Sequence, residues 1–167
     1  MSDTRAGLLD RAAAQQYARR LQAHGKRLVV TNGCFDLLHA GHVQYLEAAR
    51  ALGDALLVGL NSDAGTRALK GPARPIVPEL DRATVLLALR SVDAVVLFDE
   101  PTAGPLLQEL TPPIYVKGGD YTTAGSGLQK ALPEEPVVNG YGGRIVLLPY
   151  LPGRSTSQLV ERIRAGT

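Results

Sequence analysis

The sequence predicts an α/β domain, a parallel sheet of about five strands held between two layers of helices. Three observations predict it. Short runs such as 27-RLVVTN-32, 55-ALLVGLN-61 and 93-DAVVLF-98 are apolar at consecutive positions, so they read as strands covered on both faces. Helix-like stretches separate them, as crossover helices must where neighbouring strands run parallel. Polar, glycine-bearing segments follow the strands directly, at the end of a parallel sheet where ligands bind.

In chain order, residues 8–23 (LLDRAAAQQYARRLQA) are alanine-rich with apolar residues at helical spacing, and HGK breaks the pattern before the strand over 27–32. Over 42–52, Val43, Leu46, Ala49 and Leu52 share one helical face, and Gly53 stops that helix ahead of the strand over 55–61. The polar Gly/Pro-rich segment 67-RALKGPARP-75 reads as a loop long enough to move. A helix over 78–90 starts near Pro78, a strand follows over 93–98, a short helix over 101–110, and a strand over 113–118. A Gly/Pro-rich stretch, 118–143, precedes the last strand, 144-RIVLLPY-150. The closing helix covers 156–165, with Ser155 to Ser157 available as caps. No internal repeat is visible, and the expectation is one domain over 1–167, an N-terminal helix within 1–25 and a core over 26–163.

Composition narrows the function classes. The chain has 167 residues, 45% of them hydrophobic, enough for one core. Its 18 basic and 16 acidic side chains give a net charge of +2 without a run of either sign, so any anion site is local and nucleic acid is not an expected partner. The single cysteine, Cys34, excludes an internal disulfide and any multi-cysteine metal centre. No apolar run nears the ~18 residues of a membrane span, and MSDTRAGLLDRAAAQQ lacks a signal-peptide core. A soluble cytoplasmic protein is expected.

Chemistry concentrates after the strands. His39 and His42, with Ala40 and Gly41 between them, stand at i and i+3 across a helix entrance, so both rings can address one point while Gly41 lets a ligand approach the backbone. A helix N-terminus favours phosphate, and imidazoles can donate to its oxygens. The same residues also suit a capping histidine beside a surface one, or a metal site, although two histidines without further ligands seldom hold zinc. Lys70 and Arg74 could reach a phosphate chain, or simply face solvent. Lys117 precedes two glycines and Asp120, which could hold a sugar hydroxyl or a magnesium-bound water or form an ordinary turn. Arg154, Ser155 and Thr156 open another helix as an anion cradle or a plain cap. Singly these signals are weak; five such loops at five strand ends would meet in one crevice.

The 39-HAGH-42 pattern behind an apolar strand and 32-NGCFD-36 resembles the HxGH nucleotidyltransferase superfamily, which includes cytidylyltransferases. Longer stretches, 31-TNGCFDLLHAGHVQYLEAARALGD-54, 61-NSDAGTRALKGPARPI-76, 81-DR-82, 116-VKGGDY-121 and 153-GRSTS-157, resemble heptose 1-phosphate adenylyltransferase domains. That resemblance spans about Lys26 to Ile163 and implies a three-layer Rossmann-like fold. It implies transfer of AMP from ATP to a sugar 1-phosphate, giving an ADP-sugar and pyrophosphate, with Mg2+ carried by ATP. It also implies a homodimer or higher oligomer and a separate sugar kinase. By the same resemblance His39, His42, Lys70 and Ser157 are catalytic. Asn32, Gly33, Cys34, Phe35, Gly41, Lys117, Gly118, Asp120, Arg154, Ser155 and Thr156 bind the nucleotide. Asp36, Asn61, Asp63 and Arg74 face the sugar phosphate, with Asp36 either bracing the loop or holding a hydroxyl.

Two departures bear on specificity. Cytidylyltransferases for glycerol phosphate carry an arginine shortly before their Gly-x-Ser-Thr-Thr motif; Tyr150 stands there in this chain, and Ser157 replaces the last threonine, which favours ATP over CTP. The stretch 124–143 is longer and richer in Gly and Pro than expected of heptose enzymes, which leaves the sugar open. The alternatives are transfer to another phosphorylated alcohol, such as glycerol 3-phosphate or FMN, and a nucleotide-binding module without turnover.

Overall fold

The apolar runs form strands that lie side by side and parallel. The computed structural model describes residues 4–119, 121–122, 130–149 and 155–166. Its strands are β1 (Gly7–Leu9), β2 (Leu28–Gly33), β3 (Ala55–Asn61), β4 (Ala94–Phe98), β5 (Ile114–Gly118), β6 (Tyr121–Thr122), β7 (Lys130–Ala131) and β8 (Arg144–Leu148). Its helices are α1 (Arg11–Ala23), α2 (Ala40–Arg50), α3 (Asp63–Lys70), α4 (Glu79–Ala88), α5 (Gly104–Leu110), α6 (Glu135–Gly140) and α7 (Thr156–Ala165). The main sheet has six strands in the order β1-β4-β3-β2-β5-β8, and β6 and β7 form a separate two-stranded ribbon.

Every pair in the main sheet is parallel, with Val29 opposite both Leu56 and Ile114 and Tyr115 opposite Ile145. From β2 the chain winds outward through β3 and β4, then returns to the other side of β2 for β5 and β8. A parallel sheet opens a crevice where its winding reverses, here beyond the carboxyl ends of β2 and β5. Alternate residues serve opposite faces. Val30, Leu57, Phe98 and Tyr115 pack with α1, α5 and α6, whereas Val29, Leu56, Val58 and Val116 pack with α2 and α4. Local signals set the helix starts: Asp10 accepts from Ala13 N at 2.7 Å, Ser62 from Gly65 N at 3.0 Å and Ser155 from Gln158 N at 3.2 Å.

Several expectations are corrected. Leu8 and Leu9 do not begin the first helix; they form β1, a sixth strand on the sheet edge with Gly7 opposite Ala94, and α1 starts only after its Asp10 cap. Their partner is remote in sequence, so helical spacing could not reveal it. The stretch ending at Lys70 is not part of a mobile loop but the last turn of α3, capped by Ser62 and ended by Gly71 at φ 96. The helix after His39 begins at Ala40 and ends at Arg50, leaving Leu52 outside it. Within the Gly/Pro-rich stretch lies α6, held by buried Val138. Tyr150 lies outside the described residues.

Candidate active site

All five strand-end segments reach one cleft of about 590 Å³. Asn32, Gly33, Cys34, Phe35 and Asp36 line it after β2, Asn61 after β3 and Lys70 from α3. Pro101 and Thr102 enter after β4, Lys117 and Gly118 from β5, and Thr156 and Ser157 from the start of α7.

The turn after β2 sets the cleft floor. Phe35 takes φ 43, which swings the chain from the strand toward α2 and stands its ring edge-on to His42, centroids 5.5 Å apart. A Cβ on Gly33 would stand 3.0 Å from the Phe35 ring, so a larger residue there would make the ring give way by a few tenths of an ångström. Asp36 is buried and accepts from Arg74 Nη1 at 2.6 Å and from the amides of Ile76 and Val77 at 2.9 Å each. Burial pushes its carboxyl up, but the Val77 amide, the Arg74 guanidinium and the Ile76 amide outweigh it and hold the group below the usual carboxylate range. Asp36 therefore braces the 74–77 segment, and Arg74 reaches the cleft already paired.

His39 is the N-cap residue of α2 and His42 its third residue. The rings stack at 3.9 Å, and only His42 lines the cleft. Burial first, then the neighbouring His39, lowers the His42 imidazolium to about 4, so the ring is neutral near pH 7. Its Nδ1 accepts from the His39 backbone N–H at 3.4 Å, which leaves the proton on Nε2. A neutral imidazole held in that tautomer is a hydrogen-bond donor to an anion.

Thr156 Oγ1 donates to Leu37 O at 3.3 Å, which docks the start of α7 on the loop that leads into the histidine pair. The far wall is built from strand residues of the α5/α6 face. Asn32 Oδ1 accepts from Tyr115 OH at 2.6 Å and from Lys117 Nζ at 3.0 Å, and Lys117 lies 4.0 Å from Glu134 Oε1.

Not every expected residue reaches the cleft. Asp63 lies outside it, with its Oδ1 accepting from Arg82 Nη2 at 2.7 Å, so its role in this structure is an ion pair rather than a sugar contact. Ser155 uses its hydroxyl as the cap of α7, and Gly41 lies within α2 away from the cleft lining. Asp120 and Arg154 lie outside the described residues.

Two residues of consequence were absent from the expected site. Arg82 is 1% exposed and donates to Val77 O, Cys34 O, Asn61 O and Asp63, joining the turns after β2 and β3 to the start of α4. Its only sequence signal was its place in the 81-DR-82 match. Glu134, 2% exposed, lines the cleft from the Gly/Pro-rich stretch, where nothing in the local sequence marks it.

The cytidylyltransferase-like family model matches residues 30–162, and the chain belongs to that family. It is 50% identical over 166 residues to the bifunctional protein HldE of Geotalea uraniireducens, covering 99% of this chain and 32% of that protein. To the bifunctional protein HldE of Syntrophotalea carbinolica it is 52% identical over 139 residues, 83% of this chain and 27% of that one. The chain thus spans less than a third of the length of these curated relatives. Among solved structures, the lipopolysaccharide core biosynthesis protein from Thermoplasma volcanium superposes with a TM-score of 0.59 at 29% identity, over 76% of this chain and 98% of that one. The HxGH superfamily and the Rossmann-like fold implied by the sequence resemblance agree with these matches.

Proposed function

We propose that this chain is a nucleotidyltransferase that moves AMP from ATP to a sugar 1-phosphate, with a heptose 1-phosphate as the preferred acceptor. The observation that carries the reading is the neutral, tautomer-fixed His42 stacked on His39 in a cleft that α7 joins on the same side. Identity near 50% to bifunctional HldE proteins, and likeness to a protein titled for lipopolysaccharide core biosynthesis, support a sugar substrate.

In this reading an oxygen of the sugar phosphate attacks the α-phosphorus in line. A new P–O bond forms, the bond between the α-phosphorus and the bridging oxygen breaks, and pyrophosphate leaves with its electron pair. The protein needs no covalent intermediate; it positions the reactants and stabilises charge on phosphoryl oxygens. His42 Nε2 donates to an α-phosphate oxygen, with His39 behind it, while Thr156 and Ser157 at the start of α7 receive the β- and γ-phosphates. Lys70, exposed at the end of α3, answers the charge of the phosphates that arrive or leave. Gly33, Cys34 and Phe35 form the floor beneath the nucleotide.

Magnesium enters with ATP. Of the two cleft carboxylates, Asp36 engages protein donors through both oxygens and Glu134 through Oε1, and among the described residues no three His, Cys, Asp or Glu side chains gather into a cage. In this reading the ion is held by the phosphates and water, and no step above is routed through it. The chain works in the cytoplasm beside a sugar kinase that supplies its substrate, and it assembles as a homodimer.

The test is pyrophosphate release with magnesium, offering ATP or CTP against both anomers of heptose 1-phosphate, other sugar 1-phosphates, glycerol 3-phosphate and FMN. Release with ATP and heptose 1-phosphate is expected. Release with glycerol 3-phosphate or FMN alone would replace the acceptor, and nucleotide binding without release from any pair would make the chain a binding module.

A further inference from the structure

The polar corner around Glu134 lies across the cleft from the histidines. Strand alternation puts Asn32, Tyr115 and Lys117 on the face that packs α5 and α6, whereas His42 stands on α2 at the other face. The start of α7 docks beside Leu37, so the sites for the α-, β- and γ-phosphates share the histidine side. In-line displacement requires acceptor and pyrophosphate on opposite sides of the α-phosphorus, which directs the acceptor toward Glu134.

Glu134 is unusual in its setting. Its side chain is 3% exposed, and one carboxylate oxygen, Oε1, accepts from Ala103 N at 3.1 Å with Lys117 Nζ 4.0 Å away. The other oxygen, Oε2, is buried and has no hydrogen-bond partner among the described residues. A buried acceptor left unsatisfied costs free energy, so it persists where a ligand completes it. Lys117, held to Asn32 at 3.0 Å, places a positive charge beside that carboxylate.

We infer that Glu134 Oε2 accepts a hydrogen bond from a ring hydroxyl of the acceptor sugar and so selects a polyhydroxylated substrate over a bare phosphoalcohol. The inference rests on the adenylyltransferase reading above. A polyol matches this corner because Glu134, Thr102, Asn32 and Lys117 present several polar groups to one side of the cleft. A sugar hydroxyl that donates to Glu134 can also accept from a neighbouring donor, so one ring satisfies successive groups.

The experiment compares wild type with Glu134→Gln in pyrophosphate release, varying the sugar 1-phosphate and ATP separately. Glutamine keeps the shape and the bond to Ala103 but replaces the free acceptor by a donor. The expected result is a KM for the sugar phosphate raised at least tenfold, with the KM for ATP within twofold of wild type. A parallel rise for ATP alone would place the carboxylate on the nucleobase amine and overturn the inference, as would no change in either constant. Wild type is also offered a series of monodeoxy sugar 1-phosphates, a measurement that holds even if the variant folds poorly. One analogue should lose at least tenfold in kcat/KM, and equal use of all of them overturns the inference. A wild-type protein that turns over no sugar phosphate overturns the adenylyltransferase reading and this inference together; normal turnover with an indifferent Glu134→Gln overturns this inference alone.

Discussion

His42 couples burial to function at the level of one side chain. Its proton affinity is lowered to about 4 from an ordinary value of 6.5, so the unfolded chain takes up a proton that the folded one refuses. The stabilisation from a neutral buried ring is fully present above pH 6.5 and is lost as the pH falls through that value toward 4. A phosphate against Nε2 favours the charged form and opposes that shift. NMR titration should therefore find His42 titrating near 4 in the free protein and distinctly higher with bound ATP. An unchanged value with ATP bound would remove His42 from the α-phosphate site. His42→Ala should reduce turnover by about 10²–10³-fold, the range for loss of one preorganised donor, with the circular dichroism spectrum preserved.

Among elements, Arg82 ties together segments around the cleft that are distant in sequence. Its guanidinium takes the carbonyls of Cys34, Asn61 and Val77 and the Asp63 carboxylate, so three segments share one buried cation. Truncation would orphan the three carbonyls and leave Asp63 without its ion-pair partner. Arg82→Ala should lower stability by about 2–4 kcal/mol in urea unfolding, as expected when the donor to several buried carbonyls is removed. A loss under 1 kcal/mol would show that water replaces the guanidinium there. The same geometry explains why Asp63, polar and just beyond a strand, reads from sequence as a sugar ligand: the residue type and position fit, but Arg82, nineteen positions away, has taken it.

For the whole molecule, α1 and α4 bury one face each on the sheet, with Ala14, Tyr17, Ala18 and Leu21 on the first and Ala83 and Leu86 on the second. Outward-facing apolar side chains remain, notably Leu80 at 58% exposure, Val85 at 48% and Ile76 at 50%. Apolar surface gathered near one helix favours self-association. Sedimentation velocity should show a dimer at micromolar concentration, and Leu80→Glu with Val85→Glu should shift it to monomer without loss of fold. A wild-type monomer across the concentration range would overturn the dimer.

The alternation of strands and helices and the location of polar chemistry after the strands are legible in the sequence, because strand burial and helix capping are local and leave periodic marks. The sequence placed β3 and α7 at their observed bounds and pointed to the histidine pair, Lys117 and the α7 start. Tertiary structure alone decided three things. β1 pairs with a strand some 85 residues away, so its two leucines look helical until the sheet is assembled. Asp63 and Asp36 are committed to arginines brought to them by folding, and pairing across a fold has no local signature. Glu134 stands in a stretch whose composition suggests only turns, yet it reaches the cleft with one oxygen unpaired among the described residues, because Leu132 and Val138 bury the chain on either side of it. Residue type proposes a role, and the partners that long-range packing supplies decide whether the side chain is available to fill it.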